Sequence, residues 1–145
     1  HAVYDLAKEK GYIQDATFTG MKHRMEQENM QRSEKVARGE AVYGLKEYTL
    51  DLYQEYELSM IEEAYILDET NEGMGLTEEE IEAYYNTRDW IVGEDARKAD
   101  LSEARAAVID EMRRNRYQEL TEQKAAVAEV DGDMDQLSQF TLKQL

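Results

Sequence analysis

The chain has 145 residues, of which 41% are hydrophobic and 34% charged, so it is predicted to form one folded domain, residues 1–145, with no signature of disorder. Its formal net charge of −16 repels phosphate backbones and argues against nucleic acid as a partner. It contains no cysteine, which excludes disulfides and thiolate metal sites, and no apolar run approaches the roughly 20 residues that a membrane-spanning helix needs.

Helical spacing and helix-ending residues predict an all-α fold of about five helices, because no stretch alternates polar and apolar residues as a strand does. The first helix is expected at about 2–10 and the second at about 17–38. Gly11 and Gly39 follow them, where glycine can take the left-handed conformation that ends a helix. The apolar stripe of the second helix is thin, since two polar residues interrupt it: Phe18, Met21, Met25, Asn29, Arg32 and Val36.

A short extended connector, Glu40 to Gly44, is predicted to precede the third helix at about 46–67. This helix carries the most regular apolar stripe of the chain and is expected to lie in the core. Its apolar residues recur at four-residue spacing, with one tyrosine beside them: Tyr48, Leu52, Tyr56, Met60, Ala64 and Tyr53.

The fourth and fifth helices have recognisable starts. Thr77 with Glu80 forms a capping box, and Asp100 has a glutamate at the same spacing, Glu103. The fifth helix is expected to run to about Glu129, a long C-terminal helix of roughly 45 Å at 1.5 Å per residue. Residues 131–145 are expected to form a terminal tail.

No catalytic constellation is apparent in the sequence, and we expect a protein that is not an enzyme and has no cofactor. Histidine occurs only at His1 and His23, so most acid–base and nucleophilic schemes lack their usual base. His23 is flanked by Lys22 and Arg24 and is interpreted as a surface residue. A di-iron site would need glutamate three residues before this histidine, where the chain has Gly20.

The loop after the third helix has the helix–loop–helix context and the acidic residues that an EF-hand calcium site requires. Asp68, Gly73 and Glu79 fit positions 1, 6 and 12 of such a loop. Thr70 and Leu76 occupy two other ligand positions, so the ligand set is poor and no metal site is assigned. A calcium-responsive helical protein remains a third functional alternative.

Tyrosine and methionine are unusually frequent, with 10 Tyr and 7 Met against 2 Phe. Large side chains with a polar tip suit surfaces that are wet on one side, and methionine adapts to varied partners. Together they predict a peptide-binding surface, although each residue could equally pack between helices. The candidate residues are Met21, Met25, Tyr48, Tyr53, Tyr56, Met60, Tyr84, Tyr85, Trp90 and Met112.

The segment LTEEEIEAYYNTRDW resembles the end of the N-terminal chaperone segment in parvulin foldases of the SurA and PrsA type, just before the prolyl isomerase domain. DLSEARAAVIDEMRRNRYQELTEQKAAVAEV resembles the helix that returns after that domain. LAKEKGYIQDATFTGMKHRMEQEN and GEAVYGLKEYT are similar to the amino-terminal part of such chains in Gram-positive secreted members. The likeness covers about residues 2–130.

The resemblance implies a chaperone lobe without the isomerase, because only nine residues, Ile91 to Ala99, lie where a parvulin domain would need about a hundred. It also implies an extracytoplasmic location, secreted or anchored as a lipoprotein on the outer face of the membrane. Any targeting segment or membrane anchor would then precede His1.

Two functions from different classes are therefore expected. The first is a non-enzymatic chaperone-like domain that binds unfolded or extended polypeptide in a cleft between long helices, with acidity that favours basic clients. The alternative is a structural or interaction module that recognises one folded partner. Sequence alone does not separate them.

A homodimer is also expected. In the resembled foldases the first and returning helices share one lobe, so residues 2–10 should pack on the apolar face of 101–127, whose stripe is longer than one lobe can cover. The competing expectation is a monomer whose tail folds back to cover that stripe with Met134, Leu137 and Phe140.

Overall fold

The computed structural model describes residues 2–144, with side chains described for residues 2–132. The described backbone contains five α-helices and one two-stranded antiparallel hairpin, which confirms the all-α class and the long C-terminal helix. The elements are α1 (Ala2–Glu9), α2 (Phe18–Ala37), α3 (Leu50–Leu67), α4 (Glu78–Tyr85), β1 (Ile91–Val92), β2 (Arg97–Lys98) and α5 (Leu101–Gln144). No helix in this described part is long and apolar enough to cross a bilayer.

The chain divides into two compact units, His1–Ile61 and Glu62–Leu145, and the division falls inside α3. We call them unit 1 and unit 2. That residues 1–145 form a single domain, as expected from the sequence, stays a prediction.

Unit 1 is built on α1, which has only eight residues and could not be stable alone. Tyr4 and Ala7 on its buried face pack with residues of α2 and α3, including Met21 and Tyr53. The buried face of α1 is thus packed within unit 1, and docking of α1 on residues 101–127 stays a prediction.

The start of α2 is fixed by side chains that bind the free backbone groups of its first turn. Thr17 is the N-cap, and its hydroxyl accepts a hydrogen bond from Gly20 N at 3.1 Å. Asp15 in turn accepts hydrogen bonds from Thr17 N and Oγ1 at 2.8 and 2.6 Å. A Cβ at position 20 would come within 2.5 Å of the Asp15 carboxyl carbon, so this turn needs glycine.

Arg24 joins three segments of unit 1. Its Nε and Nη2 donate to the two carboxylate oxygens of Glu57 at 2.5 and 3.1 Å, and its Nη1 donates to the carbonyl oxygen of Asp15 at 2.7 Å. Glu57 is buried, so its charge depends on this guanidinium. The pair ties the loop before α2 and α2 itself to α3.

The start of α3 differs from prediction: it begins at Leu50 and not near residue 46. The backbone of Tyr48 makes no helical hydrogen bonds because the Asn29 side chain takes both of its groups. Asn29 Nδ2 donates to Tyr48 O at 3.0 Å, and Tyr48 N donates to Asn29 Oδ1 at 2.7 Å. A side chain on α2 thereby holds this segment extended.

Unit 2 contains α4, the hairpin and α5. The capping box is confirmed, with Thr77 and Glu80 each bonding the other's backbone. Ile81 of α4 packs on the first turns of α5, and the core of this cluster consists of Ile81, Trp90, Ala99, Ala104, Val108 and Met112.

The hairpin was not predicted. It occupies the nine residues where the resembled foldases carry their isomerase, with Ile91 paired to Lys98 and Val92 to Arg97. Gly93 (φ 78°) and Ala96 (φ 53°) take left-handed conformations in its turn. Two paired residues a side are too few to give an alternating pattern that sequence could reveal.

The end of α5 also differs from prediction, since the helix continues to Gln144 and not only to about Glu129. Residues 131–145 contain no proline, and the one glycine, Gly132, costs about 1 kcal/mol in a helix interior. The side chains of Met134, Leu137 and Phe140 lie outside the described residues.

Replacing Arg24 by methionine should lower the free energy of unfolding by about 3 kcal/mol, because it leaves the buried Glu57 carboxylate without its cation. Urea denaturation followed by circular dichroism measures the change. The double variant Arg24→Met, Glu57→Leu should recover part of the loss, since no buried charge then remains.

The matched control is Arg38→Met, which removes a similar ion pair with Glu40 in which both side chains are more than half exposed. This control should cost no more than about 0.5 kcal/mol. Equal losses for Arg24→Met and Arg38→Met would contradict the assigned role of Arg24.

Candidate functional site

The predicted binding residues of unit 1 come together as an aromatic cluster. The Tyr48 and Tyr56 rings stack with centroids 5.2 Å apart, and Tyr53 meets Tyr48 edge to face at 5.8 Å. Met21 is buried beneath the cluster core and Met25 is half-buried against it. These five residues lie on α2, on α3 and, for Tyr48, on the segment just before α3.

Met60, the remaining predicted residue of this unit, is 52% exposed and is not a core residue. Helical spacing placed it in the stripe of α3, but the next residue, Ile61, is the buried one.

Tyr53 lies in an environment that disfavours its ionised form. Its ring is buried, and its hydroxyl donates to Glu57 Oε1 at 3.3 Å. Desolvation by burial, followed by the nearby negative charge of Glu57, raises the pKa of Tyr53 from 10.0 to about 12. The same causes, in the same order, raise the pKa of Tyr4, whose hydroxyl donates to Met21 Sδ at 3.2 Å.

The predicted residues of unit 2 form a second cluster around Trp90. Its indole Nε1 donates to the carbonyl of Tyr85 at 3.1 Å, and the Tyr84 ring lies 6.2 Å away between centroids. Tyr85 is half-buried and its hydroxyl donates to Ala99 O at 2.6 Å. Met112 is buried in the same cluster.

Nine of the ten candidates thus lie in two clusters, and Met60 lies in neither. Met21, Tyr53, Trp90 and Met112 are buried, as the alternative of packing between helices predicts. The half-buried members present only part of their surface. A role of this set in peptide binding stays a prediction.

The loop after α3, which begins at Asp68, is organised by hydrogen bonds within the protein. Thr70 N and Oγ1 donate to Asp68 Oδ1 at 2.9 and 2.6 Å, which forms an Asx turn. Tyr65 OH donates to the carbonyl of Glu72 at 3.1 Å. Within the residues that the structure describes, no three acidic or histidine side chains are grouped so as to hold a metal ion. His23 is exposed, as expected.

The connector between α2 and α3, residues 40–49, has a geometry that sequence reasoning missed. Arg32 Nη1 donates to two of its carbonyls, Tyr43 O at 2.9 Å and Leu45 O at 2.7 Å. Gly44 between them has φ 78°, a left-handed conformation that lets both carbonyls face one nitrogen. With Asn29 on Tyr48, two side chains of α2 hold the connector in one conformation.

The ordered connector exposes apolar side chains. Tyr43 is 88% exposed, the most exposed of the large hydrophobic residues described, and Leu45 is 43% exposed. Beside it, Val36 and Lys46 line an open groove of about 300 Å³ together with Asn29, Ser33 and Glu47. The connector therefore presents an aromatic ring to solvent on a fixed backbone.

A sequence signal for this arrangement did exist. Asn29 and Arg32 continue the i, i+3/i+4 spacing of Phe18, Met21 and Met25, but with polar residues. Amide and guanidinium groups at positions that should face packed structure indicate that they bind backbone groups of a neighbouring segment.

Comparison with known proteins gives one informative match. The chain is 36% identical over 146 aligned positions to the chaperone for lacto-N-biosidase of Bifidobacterium longum, an alignment that covers all of this chain and 52% of that protein. The chain therefore spans about half the length of the curated relative. No family model and no solved structure matches it.

This match supports the expected relationship to a chaperone. It does not extend to the SurA and PrsA type of foldase, which stays a resemblance in sequence pattern.

The titration of Tyr53 gives a prediction in strong base. The unfolded chain releases the phenolic proton near pH 10 and the folded chain near pH 12. The stability contributed by Tyr53 is therefore complete below pH 10 and is lost as pH rises from 10 to 12. Tyr53→Phe should make the fall in unfolding free energy shallower over this range by about 1.4 kcal/mol per pH unit.

Urea titrations at pH 9, 10, 11 and 12 measure these slopes. The control is Leu67→Ala, which removes an exposed side chain that does not titrate and should leave the slope as in the unmodified chain. Identical slopes for Tyr53→Phe and the unmodified chain would show that burial of Tyr53 does not control its titration.

Proposed function

We propose that this chain is a helical part of a chaperone that assists a particular enzyme client and does so without catalysing a reaction. The observation that carries the proposal is the 36% identity to the chaperone for lacto-N-biosidase, which extends over the whole length of this chain. The client class proposed here is an enzyme of the lacto-N-biosidase kind.

The arrangement of unit 1 supports a dedicated client more than a general one. Most of the tyrosine and methionine candidates are buried or half-buried, so a wide apolar cleft for unfolded chains would have to be built from their partly exposed edges. The fully exposed ring of Tyr43 stands on a fixed backbone, which suits recognition of one surface.

Binding of unfolded or extended polypeptide remains the competing version of the same function. The net charge of −16 supports basic clients for either version, because unlike charges speed association. The structural or interaction module is the limiting case in which the recognised client is already folded.

We also propose an extracytoplasmic location, secreted or anchored on the outer face of the membrane. The support is the likeness to PrsA-type chains, and the test is detection of the protein outside the membrane by protease accessibility of intact cells.

The chain should raise the yield of active enzyme when the lacto-N-biosidase of B. longum is diluted from denaturant. We expect at least a twofold gain at equimolar chain, and no comparable gain for an unrelated enzyme such as citrate synthase. Recovered enzymatic activity is the measurement, with serum albumin in place of the chain as control.

The results distinguish a dedicated enzyme client from general binding of unfolded polypeptide. Equal protection of both enzymes would favour binding of unfolded polypeptide in general. A gain for neither enzyme would overturn the proposed chaperone function.

A homodimer is proposed as well. α5 has 44 residues and a length of about 66 Å, and Val127 and Val130 on it are more than half exposed. Exposed apolar residues along one long helix are a common basis for self-association through a two-fold interface.

Light scattering across a hundredfold range of concentration should show twice the chain mass at the upper end. Val127→Asp should shift the dimer to monomer because it buries a charge in the interface. The control Leu67→Asp changes an exposed residue of α3 and should leave the mass unchanged. A monomer mass at every concentration would refute the dimer.

A further inference from the structure

The two halves of α5 follow different spacings. Ala104, Val108 and Met112 recur every four residues and are buried in the cluster around Ile81. From Leu120 onward a row of positions alternates at spacings of three and four, which is the heptad repeat of helices that pair along their length. We call this row of eight positions, of which the four in the middle are apolar, the seam: Leu120, Gln123, Val127, Val130, Met134, Leu137, Thr141 and Gln144.

The protein's own loop covers this side of α5 only before the seam begins. Arg113 and Arg116 lie one heptad before the first two seam positions and therefore on the same side of the helix. They donate to the carbonyls of Met74 and Gly73, both at 3.1 Å, which binds the loop between α3 and α4 to this side. From residue 126 to 132, in contrast, every residue is exposed.

The change from covered to uncovered helix coincides with a groove. It encloses about 370 Å³ and is lined by Glu72 of that loop and by Leu120, Gln123, Lys124 and Val127 of α5. All of these α5 residues except Lys124 are seam positions. The seam therefore starts as a concave surface, which is the shape that a second helix needs for packing.

We propose that the seam pairs with the seam of a second copy of this chain in antiparallel orientation, so that the end of each α5 packs into the groove of the other copy. The inference rests on the homodimer proposed above. It adds the surface, the orientation and the register of the two helices.

The first step is that the seam is complementary to itself. When Val130 of one copy faces Met134 of the other, the antiparallel register also sets Val127 against Leu137. The polar positions next to them, 123 and 141, then face each other as well. Apolar residues thus meet apolar residues in the middle and polar residues meet outside it, and a second copy supplies this pattern without further assumption.

The second step excludes the parallel orientation. A parallel partner would continue alongside residues 113–117 of α5, where the loop between α3 and α4 already occupies the row through Arg113 and Arg116. Tyr117 is buried there as well, with its ring 5.5 Å from that of Tyr65 between centroids. Antiparallel pairing of residues 120–144 leaves 113–117 of each copy to its own loop.

Charge beside the seam tests the register. Asp131 is exposed and directly follows Val130, so in the antiparallel register it faces its counterpart in the second copy and the two like charges repel. Asp131→Asn should lower the dissociation constant of the dimer about twofold at low salt, as measured by sedimentation equilibrium. The matched control Glu129→Gln removes the same charge two residues away, on the side of α5 that faces away from the seam. An equal or larger gain for Glu129→Gln would contradict the register.

Cysteine crosslinking tests the orientation, because the chain has no cysteine of its own. Gln123→Cys and Thr141→Cys are prepared separately, mixed and mildly oxidised, and the interchain disulfide is measured by gel electrophoresis without reductant. The mixture should give at least tenfold more crosslinked dimer than either variant alone. In the antiparallel register the two copies of position 123 are about 27 Å apart, at 1.5 Å per residue.

The control mixture is Glu122→Cys with Thr141→Cys, in which the first cysteine points away from the seam; it should crosslink at least tenfold less. Crosslinking of Gln123→Cys with itself at the level of the mixture would show a parallel pair and overturn the inference, while the homodimer stands. A dimer mass by light scattering without any of these crosslinks would also overturn this inference alone. A monomer mass at every concentration would overturn the homodimer and the inference with it.

Discussion

Arginine side chains that each bind two or more acceptors hold the irregular segments of this protein in place. In unit 1, Arg24 joins Glu57 to the carbonyl of Asp15. In unit 2, Arg113 donates to Met74 O and to Glu69, both at 3.1 Å. A guanidinium has five N–H donors in a planar fork, so one side chain can bind a carboxylate and a backbone carbonyl together, which the single ammonium of lysine does less well. An acidic chain with few large apolar residues gains its loop geometry in this way.

These ion pairs determine geometry more than stability. Unit 2 has 22 acidic and 9 basic residues, and most of its ion pairs are well exposed, where a pair contributes about 0–1 kcal/mol. Seven of the basic residues are in ion pairs: Arg88, Arg97, Lys98, Arg105, Arg113, Arg114 and Arg116. The carboxylates outnumber the basic residues and therefore dominate the electrostatic field of this unit. Unit 1 is closer to balance, with 11 acidic and 8 basic residues.

The sequence predicted the helices well where local signals are strong. The cap at Thr77 and the glycine at 39 act on neighbouring backbone groups, so their effect can be inferred from a few adjacent residues. The start of α3 could not be inferred in this way, because it depends on Asn29, 19 residues earlier in the chain. The hairpin and the continuation of α5 were not predicted for a different reason. Neither segment carries a local residue pattern that marks it in the sequence.

The candidate site was harder to predict because the abundance of tyrosine has a structural cause. The hydroxyls of Tyr4, Tyr53 and Tyr85 donate to Met21, Glu57 and Ala99 at the edges of the two clusters. Phenylalanine at position 4 or 85 would remove the donor to Met21 or Ala99, and a buried acceptor left unpaired costs about 1–3 kcal/mol, whereas Glu57 would keep its hydrogen bonds from Arg24. Hydrogen bonding by the hydroxyl group therefore explains part of the excess of tyrosine over phenylalanine.

Tyr43 does not fit that structural explanation. Its ring is almost fully exposed, and the hydrogen bonds of its segment involve its carbonyl, which any residue would supply. Neither packing nor backbone geometry therefore requires a tyrosine at this position, whereas the geometry does require Gly44 beside it. A side chain that the fold does not need, carried on a backbone that two polar residues of α2 hold in place, is what a binding contact needs. Tyr43 is not among the residues predicted to bind a peptide. An interaction with a partner is nevertheless the simplest physical reason for a tyrosine at this position.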